Sequence, residues 1–153
     1  IIQVPIQEFY TGPGKTVRCH EEVMTAIRIR RRDYEGYTGC YIKYGKRNAM
    51  EIATLGCACL VKLSLDKKVV EDMRIAYGVA APTPVRCPET EKAVSGKAVS
   101  KVLLLQTGKG VLNEVNPRTS WRASKEFRLQ LVEELAKRAM AQAIRNGGGE
   151  VDA

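Results

Sequence analysis

Between residues 23 and 79 the chain alternates apolar and polar positions with the period of two that half-buried strands require. Val23, Thr25, Ile27 and Ile29 alternate with Met24, Ala26, Arg28 and Arg30, which predicts a strand over 23–29. Across 37–46, Cys40, Ile42 and Tyr44 share one face, and Tyr41 and Lys43 share the other. The sequence turns apolar from Glu51, and Val61, Leu63 and Leu65 then alternate with Lys62, Ser64 and Asp66. Beyond Lys67 and Lys68, Met73, Ile75 and Tyr77 alternate with Asp72, Arg74 and Ala76. Two such runs around a short charged turn predict a hairpin. Together, the runs from 37 to 79 predict a three-stranded antiparallel meander with one apolar face. Residues 1–22 read as an extended lead-in broken by Pro5 and the Gly12-Pro13-Gly14 turn, and 31–36 as a loop.

The period changes in the second half. Pro82, Pro84 and Pro88 interrupt regular structure over 78–88. A short helix is predicted over 88–96, and a second over 99–115, weakened by Gly108 and Gly110. The strongest helix signal covers 124–146. Ser124 is suited to the N-cap, and Glu126 complements the positive helix end. Phe127, Leu131, Leu135 and Ala139 recur every four residues as a core stripe. Glu133/Lys137 and Glu134/Arg138 are spaced for i,i+4 ion pairs on the outer side. Glycines 147–149 end the helix, and 147–153 is expected to fray. Strands first and helices afterwards predict an α+β fold: a small antiparallel sheet of three to four strands, covered on one face by about three helices.

Composition narrows the chemistry. A length of 153 residues suits one domain, and the start at Ile1 rather than methionine suggests a piece of a longer chain. No apolar run approaches the ~20 residues that span a bilayer. The five cysteines, at 19, 40, 57, 59 and 87, contain no C-x-x-C pair, and Cys57 and Cys59, in the apolar run 55–61, read as small buried hydrophobes of a reducing cytoplasm. A net charge of +8 invites nucleic acid, but the basic residues are dispersed apart from Arg28 and Arg30–Arg32. With only 6% aromatic residues and no RNP-like, KH or finger pattern, nucleic acid is the weaker reading.

Catalytic constellations are scarce. Gly14-Lys15-Thr16 resembles the end of a phosphate-binding loop, but the position five residues before Gly14 holds Phe9 and a strand is expected to follow. His20 is the single histidine, in a polar lead-in beside Glu21 and Glu22, and reads as an exposed loop residue. Lys43 stands mid-strand between Tyr41 and Tyr44, on the face opposite Cys40 and Ile42. Pattern alone leaves it either solvent-facing or offered to an anionic ligand or cofactor on an uncovered sheet face.

Five segments, in order, resemble the flavoprotein subunit of the xanthine dehydrogenase and carbon monoxide dehydrogenase family of molybdenum hydroxylases. They are residues 9–15 (FYTGPGK), 22–29 (EVMTAIRI), 43–56 (KYGKRNAMEIATLG), 75–86 (IAYGVAAPTPVR) and 120–128 (SWRASKEFR). The likeness is nearest to the separate FAD-binding subunit of bacterial xanthine dehydrogenases. It implies that 1–30 ends the second FAD-binding lobe with its connecting strand, that 31–146 is the C-terminal α+β domain, and that 147–153 is a tail. The family's glycine-rich pyrophosphate-binding segments lie upstream of this stretch, so FAD would be held mainly by those lobes.

The resemblance implies an oxidoreductase part, not itself catalytic, in cytoplasmic purine metabolism. A molybdenum cofactor on one partner subunit hydroxylates the substrate, 2Fe-2S clusters on another carry electrons to FAD, and NAD+ is the expected acceptor. Two residues carry over. Lys43 matches a lysine beside the isoalloxazine ring, and Met24 an apolar position lining the flavin pocket. Trp121 reads as a packing anchor, and Arg118, Arg122 and Arg128 as candidates to face the molybdenum subunit. Two other functions remain to be weighed: a basic nucleic-acid-binding module, and a purely structural assembly domain. The parent substrate is not legible.

Overall fold

The computed structural model describes residues 1–47 and 49–151, in two compact units, Ile1–Glu35 and a larger one that begins at Gly36. Asn48, within the third resembling segment, and Asp152 and Ala153 of the tail lie outside the described residues.

In the first unit a single helical turn, α1 (Ile6–Phe9), leads into a hairpin of β1 (Tyr10–Gly12) and β2 (Lys15–Thr16). Gly14 takes φ +69°, a region that side chains disfavour, so the turn falls where the Gly-Pro-Gly run predicts it. Lys15 and Thr16 therefore enter a strand, not the helix that a phosphate-binding loop needs. The strand predicted over 23–29 does not form. Residues 22–30 have no regular structure, and Val23, Met24, Ile27 and Ile29 are all exposed. Alternation makes a strand only where a second backbone takes up its N–H and C=O groups, and none of the described residues pairs with this segment. The following loop holds a 3-10 turn, Arg31–Asp33. Arg30 pairs there with Asp33 and Arg31 with Glu35, each at 2.7 Å, so half of the arginine cluster is neutralised locally.

In the second unit the predicted meander is present as β3 (Thr38–Tyr44), β4 (Leu55–Leu63) and β5 (Val69–Gly78). The short β6 (Val85–Arg86) follows, then α2 (Pro88–Val94), β7 (Lys97–Ala98), α3 (Lys101–Gly110) and α4 (Lys125–Asn146). The sheet is antiparallel in the order β3-β4-β5-β6, with β7 also pairing to β5. Three long strands and two two-residue strands, covered by α2, α3 and α4, give the expected α+β architecture.

The core lies between sheet and helices. Leu55, Cys57, Cys59, Val61, Met73, Ile75 and Tyr77 meet Val94, Leu103, Leu131, Leu135, Ala139, Met140 and Ile144 in one cluster. The Tyr77 hydroxyl donates to the Val132 carbonyl at 2.9 Å, so even the polar tip of this core tyrosine is satisfied. Burial pushes the thiols of Cys57 and Cys87 up to about 12 and that of Cys59 well above its ordinary value. They behave as the small hydrophobes expected.

The helix ends follow local rules. Pro88 opens α2 at the position where its missing N–H costs nothing. Ser100 and Ser124 accept from the backbone N–H groups of Leu103 and Phe127 and cap α3 and α4. The second helix is shorter than predicted, because after Gly110 the chain tightens into a 3-10 turn at Val111–Asn113. Its glycines serve packing: a Cβ on Gly108 would meet the Glu133 carbonyl of α4 at 3.0 Å, so the two helices approach closely there.

Tertiary neighbours revise three expectations on α4. Glu134 pairs with Arg138 at 2.7 Å as predicted. Glu133 instead reaches Lys109 of α3 at 2.9 Å, and Lys137 turns to Glu134. Phe127 leaves the core stripe, 39% exposed, and packs edge-on against Tyr44 with ring centroids 6.1 Å apart. The frayed end expected from Gly147 is held at its start, where the N–H groups of Gly147 and Gly149 donate to the carbonyls of Ala143 and Ile144.

Candidate functional site at the loop end of the sheet

Pleating sends the alternate residues of the three long strands to the face without helices. Register arranges them in rows. Lys43, Gly56 and Gly78 form one row; Tyr41, Ala58, Ala76 and Arg86 the next; Gly39, Leu60 and Arg74 a third. Lys43 therefore stands beside two glycines, with no side chain next to it in its own row. The Tyr41 hydroxyl leans over Gly56, 2.9 Å from where a Cβ would sit. At Gly78 a Cβ would meet nothing within 4 Å, so the floor there is open.

The β3–β4 loop fixes the lysine. The Nζ of Lys43 donates to the Glu51 carbonyl at 2.6 Å, while the Glu51 carboxylate accepts from the Lys46 N–H, also at 2.6 Å. Any side chain on Gly45 would overlap that carboxylate. Lys43 is exposed, and no carboxylate forms a salt bridge with it among the described residues. Its charge is thus held in position without being neutralised.

The same end of the domain gathers three other segments. Thr54 donates to the Tyr44 carbonyl, Asn116 donates to that of Ala80, and Phe127 packs on Tyr44. Val79, directly after β5, has φ +70°, a conformation that a β-branched residue adopts only under strain. The β3–β4 loop exposes Met50 and Ile52 and carries Lys46 and Arg47, and the segment before α4 exposes Trp121 and carries Arg118 and Arg122. This end is apolar and basic together.

Along the outer face, a second cluster serves structure. Glu91 of α2 accepts from both Arg86 Nε and Arg86 Nη2 at 2.6 Å and from the Ile75 N–H at 2.9 Å, which clamps the helix to the sheet. Tyr37 donates to Asp72 and accepts from Arg74 at 2.9 Å.

Of the residues singled out by sequence, Lys43 lies on the open face as its alternation predicts. Met24 is 58% exposed, on the unpaired segment of the other unit. His20 is exposed. Trp121 corrects the expectation of a packing anchor: it is 82% exposed at the tip of a tight turn, because its neighbours and not its own ring fill the space beneath. Glu51 as the holder of Lys43 was missed, since a backbone acceptor eight residues away leaves no trace in a pattern. The glycine row was legible in principle: aligning the meander sets Lys43 opposite Gly56 and Gly56 opposite Gly78.

A three-stranded meander covered on one face by helices, with a basic loop end, defines the class. The profile of the CO dehydrogenase flavoprotein C-terminal domain matches residues 40–143, and the chain belongs to that family. It is 39% identical over 148 residues to the xanthine dehydrogenase FAD-binding subunit of Escherichia coli O157:H7, covering 97% of this chain and 50% of the relative. It is 30% identical over 135 residues to the glyceraldehyde dehydrogenase medium chain of Sulfolobus acidocaldarius, covering 88% and 46%. A solved carbon monoxide dehydrogenase from Hydrogenophaga pseudoflava superposes with TM-score 0.77 at 25% identity, over 92% of this chain and 47% of that one. The chain thus spans about half the length of the relatives it matches. No helix among the described residues is long and apolar enough to cross a membrane.

Proposed function

We propose that this domain forms one wall of the flavin site in the FAD-binding subunit of a xanthine dehydrogenase-type molybdenum hydroxylase. The observation that carries the reading is Lys43: a cation held by a backbone carbonyl, in a salt bridge with no carboxylate among the described residues, in a row with two glycines of which Gly78 is open. The residues present suit one edge of an isoalloxazine ring. They do not suit its pyrophosphate, which upstream lobes would hold. FAD, when bound, would accept electrons from 2Fe-2S clusters and pass them as hydride to NAD+. Lys43 contributes electrostatically, since an ammonium beside the N1/O2 edge favours the negative charge that gathers there on reduction. Glu51 keeps the ammonium in place, so little reorganisation is required as that charge develops. Met24, exposed in the first unit, is proposed as a second flavin contact on the family resemblance, a role for which a thioether is suited. Substrate hydroxylation belongs to the molybdenum-cofactor subunit, and the family name of the relatives supports xanthine-like chemistry without selecting the substrate.

Lys43→Ala in the full-length subunit tests this reading. Loss of the cation should move the two-electron flavin potential about 30 mV more negative, equivalent to roughly 1.4 kcal/mol. An unchanged potential and flavin spectrum would leave a purely structural domain as the better account.

A further inference from the structure

The turn before α4 is built around a buried positive charge that has no counter-ion among the described residues. Arg128, 2% exposed, sends Nη1 to the Arg118 carbonyl at 3.1 Å and Nη2 to Ser120 Oγ at 2.8 Å, and its buried Nε has no hydrogen-bond partner. No carboxylate forms a salt bridge with Arg118, Arg122 or Arg128 among the described residues. Burial, and then the like charges of Arg118 and Arg122, weaken the hold of Arg128 on its proton. Residues 116–128 contain Arg118, Arg122, Lys125 and Arg128 against Glu126 alone, a formal charge of +3 in thirteen positions.

The turn itself is stiff. Ser120 and Ala123 exchange backbone hydrogen bonds at 3.0 and 3.2 Å, the Arg122 N–H reaches Ser120 Oγ at 3.3 Å, and Lys125 donates to Thr119 and Asn116 at 3.0 Å each. At its tip the Arg122 guanidinium stacks on the Trp121 ring at 4.3 Å, leaving that ring 82% exposed. Exposing a tryptophan and crowding three guanidiniums both cost stability, and neither assists the fold of this domain. Both costs are offset when an apolar slot receives the indole and a carboxylate meets the arginines. Trp and Arg are also the residue types that dominate binding energy at protein interfaces, above all on rigid supports.

We infer that the Ser120–Ala123 turn is a preformed docking knob, which inserts Trp121 into an apolar slot of a partner subunit whose bordering carboxylates meet Arg118 and Arg122. The inference rests on the reading of the chain as part of a multi-subunit flavoenzyme and adds the surface that holds it there. Arg128 acts as a positioning residue: it fixes the turn from beneath and contributes its charge through Arg118 and Ser120. The commitment is to a protein carboxylate. A small oxyanion or nucleotide phosphate at the same arginines is the competing occupant.

The test uses the full-length flavin subunit, purified as wild type, Trp121→Ala and Arg122→Glu, and mixed with its separately purified iron–sulfur and molybdenum subunits. Because Trp121 is exposed and Arg122, half-buried, lays its guanidinium on that exposed ring, the variants should melt with the wild type and retain full FAD occupancy and an unaltered flavin spectrum. Association should weaken ~30-fold for Trp121→Ala. It should weaken further for Arg122→Glu, with a shallower salt dependence than the wild type. Wild-type assembly of both variants overturns the knob while leaving the flavin reading intact. So does normal assembly with an altered flavin spectrum, which would place the turn on the cofactor side. Inorganic phosphate that raises the melting temperature of the wild type but not of Arg122→Glu, with assembly unaffected, overturns it in favour of the small anion. A full-length chain that takes up no FAD and binds neither subunit overturns both readings.

Discussion

Met73, Ile75 and Tyr77 of β5 are almost completely buried, while Arg74, Ala76 and Gly78, interleaved with them, remain partly open. The same contrast runs through β4, where Cys57, Cys59 and Val61 face the helices and Gly56, Ala58 and Leu60 face away. The two faces share every backbone hydrogen bond of the sheet, so their difference comes from side chains alone. One face is bound to three helices by a continuous apolar cluster and carries the stability of the domain. The other has small residues, Tyr41, Lys43 and the Arg86–Glu91 clamp, and little to lose by meeting a cofactor or a second protein surface.

That separation can be broken from either side. The largest effect is expected at Ile75→Ala, which should cost about 3 kcal/mol of stability by leaving a cavity in the apolar core, as read by urea unfolding. Ala76→Ser, one residue along on the opposite face, should stay within about 0.5 kcal/mol. Equal losses at the two positions would contradict the division. Next comes Glu91→Ala, which strands the buried Ile75 N–H and frees Arg86; a loss of about 2 kcal/mol is expected. Glu91→Gln retains an acceptor and should lose clearly less. A loss in Glu91→Gln as large as in Glu91→Ala would show that charge, not the hydrogen bond to the strand, makes the clamp.

The smallest effect sharpens the view of α4's outer side. Hydrogen bonds from Lys137 and then Arg138 hold the Glu134 carboxyl below its ordinary value of 4.5. A depressed folded-state value means that this contribution is complete above about 4.5 and is lost as pH falls below it. The pair is solvent-facing, so only a few tenths of a kcal/mol are expected. Thermal melts of Glu134→Gln and wild type should differ slightly at pH 7 and converge toward pH 3. A difference that grows on acidification would refute the assignment.

The meander, its hairpin and the cap of α4 were legible because each depends on neighbours a few residues away: alternation for the strands, and for the helix a serine directly before its first residue. The open-face position of Lys43 was legible for the same reason, as parity along a strand sets its side. The segment 23–29 shows the limit. It has the alternation of a strand, and no described residue completes its ladder. Ion pairing on α4 shows another, since Glu133 had two lysines within reach and the packing of α3 selected Lys109 over Lys137. Trp121 was read as a packing anchor, and in the structure it is exposed at the Ser120–Ala123 turn.

By itself, then, the sequence determined the α+β class, the parity of each long strand, the helix starts and the family motifs, all of which are local or cumulative along the chain. Only the tertiary structure decided that Lys43 is held by Glu51 beside a glycine row, that Arg128 is buried without a counter-ion among the described residues, and that Trp121 is exposed. The reason is physical: these are contacts between segments whose spacing in sequence carries no period, and their energy depends on which groups the folded chain leaves without water.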